Sequence, residues 1–367
     1  MTSVTDRIDR FLAPQLRALQ SYHVPPAAGL IKLDAMENPY SWPAWLVNDW
    51  LETLRSAALN RYPDPAACAL KSRLRTVMGV PETAGLILGN GSDELIQMII
   101  QSVAAPGHVI LAPVPTFVMY RQIATVAGLE FLGVPLHEDF SLDSDAMIEA
   151  VTAHQPAVVF LAYPNNPTGN RFDRQAIEAL LSCAPGLVVL DEAYAPFADD
   201  SFLADLECCD NLLVLRTLSK LGLAGLRLGL LAGSGAWLDE IEKTRLPYNI
   251  STLDQLSGEF ALRHNAVFEA QAQSIRQQRG ELFKRLRTMP GLEVYPSEAN
   301  FILFRVPPGH GGQVFDGLKS SGILIKNLDG SAPALADCLR VTVGKPEENA
   351  VFLTALSRWL PPGPGAG

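Results

Sequence analysis

The chain alternates short, unbroken apolar runs with stretches in which apolar residues recur every three or four positions. "GLILGNGSDELIQMIIQSV", from Gly85, reads as strand, turn and helix, and "HVILAPVPTFVMYRQIATVAG", from His108, repeats the plan. The same order starts at Ala157 ("AVVFLAYPNNPTG"), Gly186 ("GLVVLDEAYAPF") and Asn211 ("NLLVLRTLSK"). A strand with one wet face would alternate apolar and polar residues. Unbroken Val/Ile/Leu runs instead fit strands buried on both faces, hence an α/β fold with a mostly parallel sheet between helices. Ligands of such sheets bind beyond the carboxyl ends of the strands. Attention therefore falls on the residues that stop each run: Gly91-Ser92-Asp93, Pro115-Thr116-Phe117, Asn165-Asn166-Pro167, Asp191-Glu192-Ala193-Tyr194 and Thr217-Leu218-Ser219-Lys220.

From about Leu253 to Arg287 the pattern turns long and helical. Beyond Met289-Pro290-Gly291 come the strand-like pieces "LEVYP", "NFILFRV", "GILIKNL" and "CLRVTVG", an α+β arrangement. The division expected is an N-terminal arm forming part of a small domain (1–35), a large α/β domain (36–265), a small C-terminal α+β domain (266–360) and a Pro/Gly-rich, disordered tail (361–367). With 48% hydrophobic and 19% charged residues, a chain of 367 is globular rather than disordered. The net charge of -10 gives a nucleic-acid partner no support, and no apolar run is long enough for a membrane span. "MTSVTDRIDRFLAPQLRALQ" lacks the apolar core of a secretory signal, and the five cysteines include no C-x-x-C pair. Reduced thiols in a cytoplasmic protein are expected, without disulfides or zinc. His23, His137 and His154 show no metal-ligand spacing, so no metal is expected.

Candidate chemistry gathers around Lys220. Thr217 and Ser219 offer hydroxyls, and Arg227 offers a planar fork suited to phosphate. In "GNGSDE" the amides near Gly91, Ser92 and Asp93 either form a plain helix cap or cradle an anion at the helix N-terminus. An amine beside a phosphate pocket points to a Schiff base with an aldehyde cofactor that also carries phosphate. Asp191 is either a helix cap or a carboxylate that keeps a pyridine nitrogen protonated. Tyr194 and the Asn166 amide could bond a phenolate oxygen on the same ring. Phe117 either stacks on the ring or fills the core.

The succession "YPNNPTG", "DEAY", "TLSK" and "AGLRLG" resembles the class I/II aminotransferases of fold type I, which use pyridoxal 5'-phosphate. Within them, "KLDAMENPY", "RYPDP", "GNGSDELI" and "LRVTVG" resemble the histidinol-phosphate aminotransferases, over essentially the whole span from Tyr22 to Arg358. The resemblance implies that Lys220 forms the Schiff base and moves the proton, and that Asp191 pairs with the pyridinium nitrogen. Asn166 and Tyr194 would bind the ring 3'-oxygen, and Phe117 would stand where the family commonly stacks a tyrosine. Gly91, Ser92, Asp93, Thr217, Ser219 and Arg227 would hold the cofactor phosphate. Tyr62 would reach the phosphate of a partner subunit, making a homodimer with shared active sites. Tyr22 and Asn38 would border the substrate. Arg340 would take the phosphate of L-histidinol phosphate in one half-reaction and the carboxylate of glutamate in the other. Lys326 departs from the family, many members of which carry a second arginine there; a point charge replaces a fork. The implied reaction is L-histidinol phosphate plus 2-oxoglutarate giving imidazole-acetol phosphate and L-glutamate through pyridoxamine phosphate, in histidine biosynthesis. Threonine-phosphate decarboxylases and broad aromatic or aspartate aminotransferases resemble the same scaffold. A regulator that kept the fold and lost catalysis fits less well, since only about twenty residues precede the recognisable start.

Overall fold

The computed structural model describes residues 3–21 and 24–361; Tyr22, His23 and the tail from 362 lie outside the described residues. Strand β1 (Ile31–Lys32) belongs with the C-terminal part. The central sheet has seven strands: β2 (Gly85–Asn90), β3 (Val109–Val114), β4 (Glu130–Pro135), β5 (Val158–Ala162), β6 (Leu187–Asp191), β7 (Leu212–Thr217) and β8 (Leu228–Gly233). Their order is β2-β8-β7-β6-β5-β3-β4. Only β8 runs against its neighbours; every other adjacent pair is parallel.

The unbroken apolar runs have their reason in the side-chain alternation of a pleated strand. In β5, Val158, Phe160 and Ala162 enter one core while Val159 and Leu161 enter the other. The first core is closed by helices Ser92–Ser102, Val118–Val126 and Gly235–Glu242, through Leu95, Tyr120 and Leu238. The second is closed by Cys68–Met78, Ser144–His154, Arg174–Cys183 and Thr252–Arg263, through Leu70, Met147, Ile177 and Phe260. Truncating a fully buried residue such as Leu161 to Ala would cost about 2–5 kcal/mol.

Helix Asn265–Arg287 leads to a second, antiparallel sheet. Its strands β9 (Glu293–Val294), β10 (Phe301–Arg305), β12 (Lys326–Asn327) and β13 (Cys338–Thr342) lie in the order β12-β13-β10-β9. Strand β11 (Ile323–Leu324) pairs in parallel with β1, so the chain near residue 31 is stitched to this part. A separate core of Leu33, Phe301, Phe304, Val341 and Phe352 lies here. The second sheet reaches the carboxyl ends of the first through Arg340 of β13 on Asn166, just beyond β5, and Phe301 of β10 against Tyr194, just beyond β6.

Candidate active site

A cavity of about 230 Å³ opens at those strand ends. Register puts Ala162 of β5 directly beside Asp191 of β6, and both line it. Asp191 is 4% exposed. Its two oxygens accept one bond each, from the Tyr120 hydroxyl at 2.7 Å and the Ala193 N–H at 3.1 Å. Burial raises its pKa to about 6, and those two bonds only partly oppose the rise.

Lys220 follows β7 on a short helical turn, Ser219–Leu223, closed at its base by the Leu218 N–H on the Leu228 carbonyl at 2.9 Å. Gly222 in this turn sits at φ +121, and a Cβ there would lie 2.9 Å from Asn38 Nδ2. That amide donates to the Leu221 carbonyl at 3.0 Å and to Gln271 Oε1 at 2.9 Å, so Asn38 clamps the lysine turn. Lys220 Nζ donates to the Ala35 carbonyl at 3.3 Å and lies 5.8 Å from the Tyr194 ring centroid. Met36, in the left-handed region at φ +53, forms the bend beside that carbonyl. Its N–H bonds Thr342 Oγ1 at 3.0 Å and its carbonyl accepts from Asn300 at 2.9 Å. Burial lowers the Lys220 pKa to about 8; Arg340 and Arg227 add to the fall, while Glu37 and Asp93 oppose it.

At one end of the cavity hydrogen-bond donors crowd together. Helix Ser92–Ser102 starts at Gly91 with no side-chain cap. Gly91 has φ +80, and a Cβ on it would come within 2.5 Å of Arg227 Nη2. The Thr217 hydroxyl donates to Ser219 Oγ at 2.9 Å. Arg227, itself left-handed at φ +48, donates to Ser219 Oγ at 3.5 Å and to Asp93 at 3.3 Å. Toward β13, Asn166 donates to the Tyr194 hydroxyl at 3.1 Å and accepts from Arg340. Arg340 is 6% exposed, also donates to the Asp34 carbonyl at 3.1 Å, and lies 5.0 Å over the Phe301 ring.

The structure thus gathers Ser92, Asp93, Phe117, Asn166, Asp191, Tyr194, Thr217, Ser219, Lys220 and Arg227 around one space. Gly91 touches it through Arg227, and Arg340 through Asn166. Lys326 sits opposite Arg340 in register, half-buried, and burial together with Arg340 lowers its pKa. Tyr62 stands apart from its own chain's cavity, 79% exposed and stacked on Tyr248 at 4.3 Å. Tyr120, Ala35 and Glu37 escaped the sequence reading. Tyr120 had a signal, its spacing of three from Phe117 at the head of a helix. A larger cavity of about 500 Å³ lies between Glu192, Arg216 and helix Asn265–Arg287. Its charges are already engaged: Glu192 with Arg216 at 2.7 Å, Arg276 with the Pro196 carbonyl at 3.2 Å. Lys220 and Asp191 belong to the smaller one.

Residues 28–356 match the family Aminotransferase class I and II. A histidinol-phosphate aminotransferase of Nitrosococcus oceani is 55% identical over 96% of this chain and 98% of its own length. One from Chromobacterium violaceum is 50% identical over 96% of this chain and 99% of its own. The crystal structure of the Sinorhizobium meliloti histidinol-phosphate aminotransferase in complex with pyridoxal-5'-phosphate superposes with a TM-score of 0.84 at 24% identity, covering 95% and 97% of the two chains. The chain belongs to the class I and II aminotransferases. It is a pyridoxal-phosphate-dependent transaminase of fold type I.

The cavity suits that cofactor. A phosphate needs donors, and the uncapped helix start, Ser219 and Arg227 supply them at one end. A pyridine nitrogen needs an acid or an anion, and Asp191 lies in the same wall with acceptor capacity beyond its two bonds. Among the described residues no helix is long and apolar enough to cross a membrane.

Proposed function

We propose that this aminotransferase moves the amino group of L-histidinol phosphate to 2-oxoglutarate, the transamination of histidine biosynthesis, in the cytoplasm. The observation that carries the reading is the near full-length identity of 50–55% to relatives named for that substrate. Pyridoxal phosphate supplies an aldehyde carbon for the amine and a ring that accepts the electron pair released at the substrate Cα.

The chain's own residues divide the remaining work. Gly91, Ser92, Asp93, Thr217, Ser219 and Arg227 hold the cofactor phosphate, which fixes distance and orientation, effects that supply roughly 7–11 kcal/mol in good cases. Asp191 keeps the ring nitrogen protonated; Asn166 and Tyr194 hold the ring oxygen, and Phe117 covers a ring face. Lys220 Nζ, with a pKa near 8, is partly unprotonated at neutral pH and takes the proton leaving Cα. Arg340, held over Phe301, binds the substrate phosphate and, in the other half-reaction, the glutamate carboxylate. Lys326 adds a second positive charge beside it, while Asn38 supports the lysine turn through its bond to the Leu221 carbonyl. Tyr62 completes the phosphate site of a partner subunit, so the working unit is a homodimer, each chain divided into a large domain and a smaller one near residues 35 and 265. Comparing kcat/KM for L-histidinol phosphate, threonine phosphate and phenylalanine tests the reading. Histidinol phosphate should be preferred; phenylalanine used equally well, or decarboxylation of threonine phosphate, would overturn it.

A further inference from the structure

The Tyr120 ring is completely buried, and its position is fixed by three contacts. It stacks on Phe160 of β5 at 4.6 Å with 11° between planes, and meets Phe117 edge-on at 5.6 Å and 83°. Its hydroxyl donates to Asp191 Oδ2 at 2.7 Å. A purely apolar role in this core would be served by phenylalanine without the cost of burying a hydroxyl. The neighbours to which the ring is tied are also informative: Phe117 and Asp191 are two walls of the cofactor cavity.

We propose that Tyr120 is a positioning residue for the cofactor, aiming the Asp191 carboxylate at the ring nitrogen and holding that carboxylate in its anionic form. This rests on the assignment of Asp191 as the partner of the pyridine nitrogen. With Tyr120 on Oδ2 and the Ala193 N–H on Oδ1, the carboxylate cannot rotate without breaking a bond, and lone pairs remain to face the cavity. A hydrogen bond to the charged form favours that form. Burial works the other way on Asp191, so the phenol offsets part of what the dry site does to the anion. Lys220 also favours the anion and Asp93 disfavours it, while Tyr194 acts on Tyr120 itself. The edge-on contact with Phe117 makes the same side chain brace the stacking wall.

The test is equilibrium binding of pyridoxal phosphate to cofactor-free protein from pH 5 to 8.5, for wild type, Tyr120→Phe, Asp191→Asn and the double variant. Phenylalanine keeps both ring contacts, and a melting curve of each variant checks that the fold is intact. Tyr120→Phe should weaken binding about 10- to 100-fold, the range for a hydrogen bond to a charged group. The acidic limb of its binding profile should also move to higher pH, because the carboxyl becomes easier to protonate. In the Asp191→Asn background the same substitution should add little. Inorganic phosphate, competing at the phosphate end, should bind all four proteins alike. Wild-type affinity and profile in Tyr120→Phe would overturn the proposal. So would an equal loss in the Asp191→Asn background, which would mean that Tyr120 acts through packing alone. If Asp191→Asn itself leaves cofactor affinity unchanged, the Asp191 assignment fails and takes the proposal with it, a distinguishable result.

Discussion

Asp191 is expected to destabilise the cofactor-free protein that it serves. Its carboxyl, ordinarily titrating near 3.8, is raised to about 6 by burial. One unit of pKa corresponds to about 1.36 kcal/mol, so ionising it in the folded state costs about 3 kcal/mol more than in the unfolded chain. The sign follows from proton affinity. The folded state binds this proton more tightly, so the penalty is absent below about pH 3.8, grows up to about pH 6 and is full above that. In the Asp191→Asn variant the amide would never ionise. It can keep the Ala193 N–H on its oxygen and donate to the Tyr120 oxygen in the reversed sense. Imperfect bonding trims the gain, leaving about 1–3 kcal/mol for Asp191→Asn at pH 8 and almost none near pH 4. Urea unfolding of the cofactor-free proteins across this range reads the difference. With pyridoxal phosphate bound the order should invert, because the wild-type carboxylate then has a cationic partner. A variant less stable than wild type at pH 8 without cofactor, or a gain independent of pH, would refute the reasoning.

Covalent capture of pyridoxal phosphate by Lys220, trapped with borohydride, should accelerate with pH around a midpoint near 8; a midpoint at the ordinary lysine value of 10.5 would show that burial does not act on the amine. Arg340→Ala should raise KM for both L-histidinol phosphate and glutamate by about 10- to 100-fold, the worth of a charge-assisted fork; an unchanged KM for histidinol phosphate would remove its dual role. Lys220→Ala and Tyr62→Ala subunits, each impaired alone, should regain activity when refolded together, since one site of the mixed dimer has both residues; no recovery would place Tyr62 outside a shared site.

The core of the fold was readable because a strand buried on both faces has no polar alternation to hide it. "AVVFLA" sends its side chains to two separate cores, and the five runs read as strands of this sheet share that two-sided burial. The cavity residues were readable because they are the polar groups that end those runs. Two strands were not read: glycines interrupt "EFLGVP" of β4 and "LGLLAG" of β8, and the reversal of β8 depends on the short return from β7 through the lysine turn. Tyr120 was hidden for a related reason. On the helix it occupies an apolar face, and only the stack on Phe160 brings its hydroxyl under Asp191. The Ala35 carbonyl carries no side-chain signal, and its approach to Lys220 depends on the left-handed bend at Met36. Asn38, expected to border the substrate, has its amide bonded to the lysine turn and to Gln271, partners more than 180 residues away in sequence.

The central claim is tested most directly by the absorbance of the pyridoxal-phosphate-loaded protein as L-histidinol phosphate is added without any keto acid. The spectrum should convert to that of bound pyridoxamine phosphate, and 2-oxoglutarate should restore it. A pyridoxal spectrum that histidinol phosphate leaves unmoved would contradict the substrate assignment.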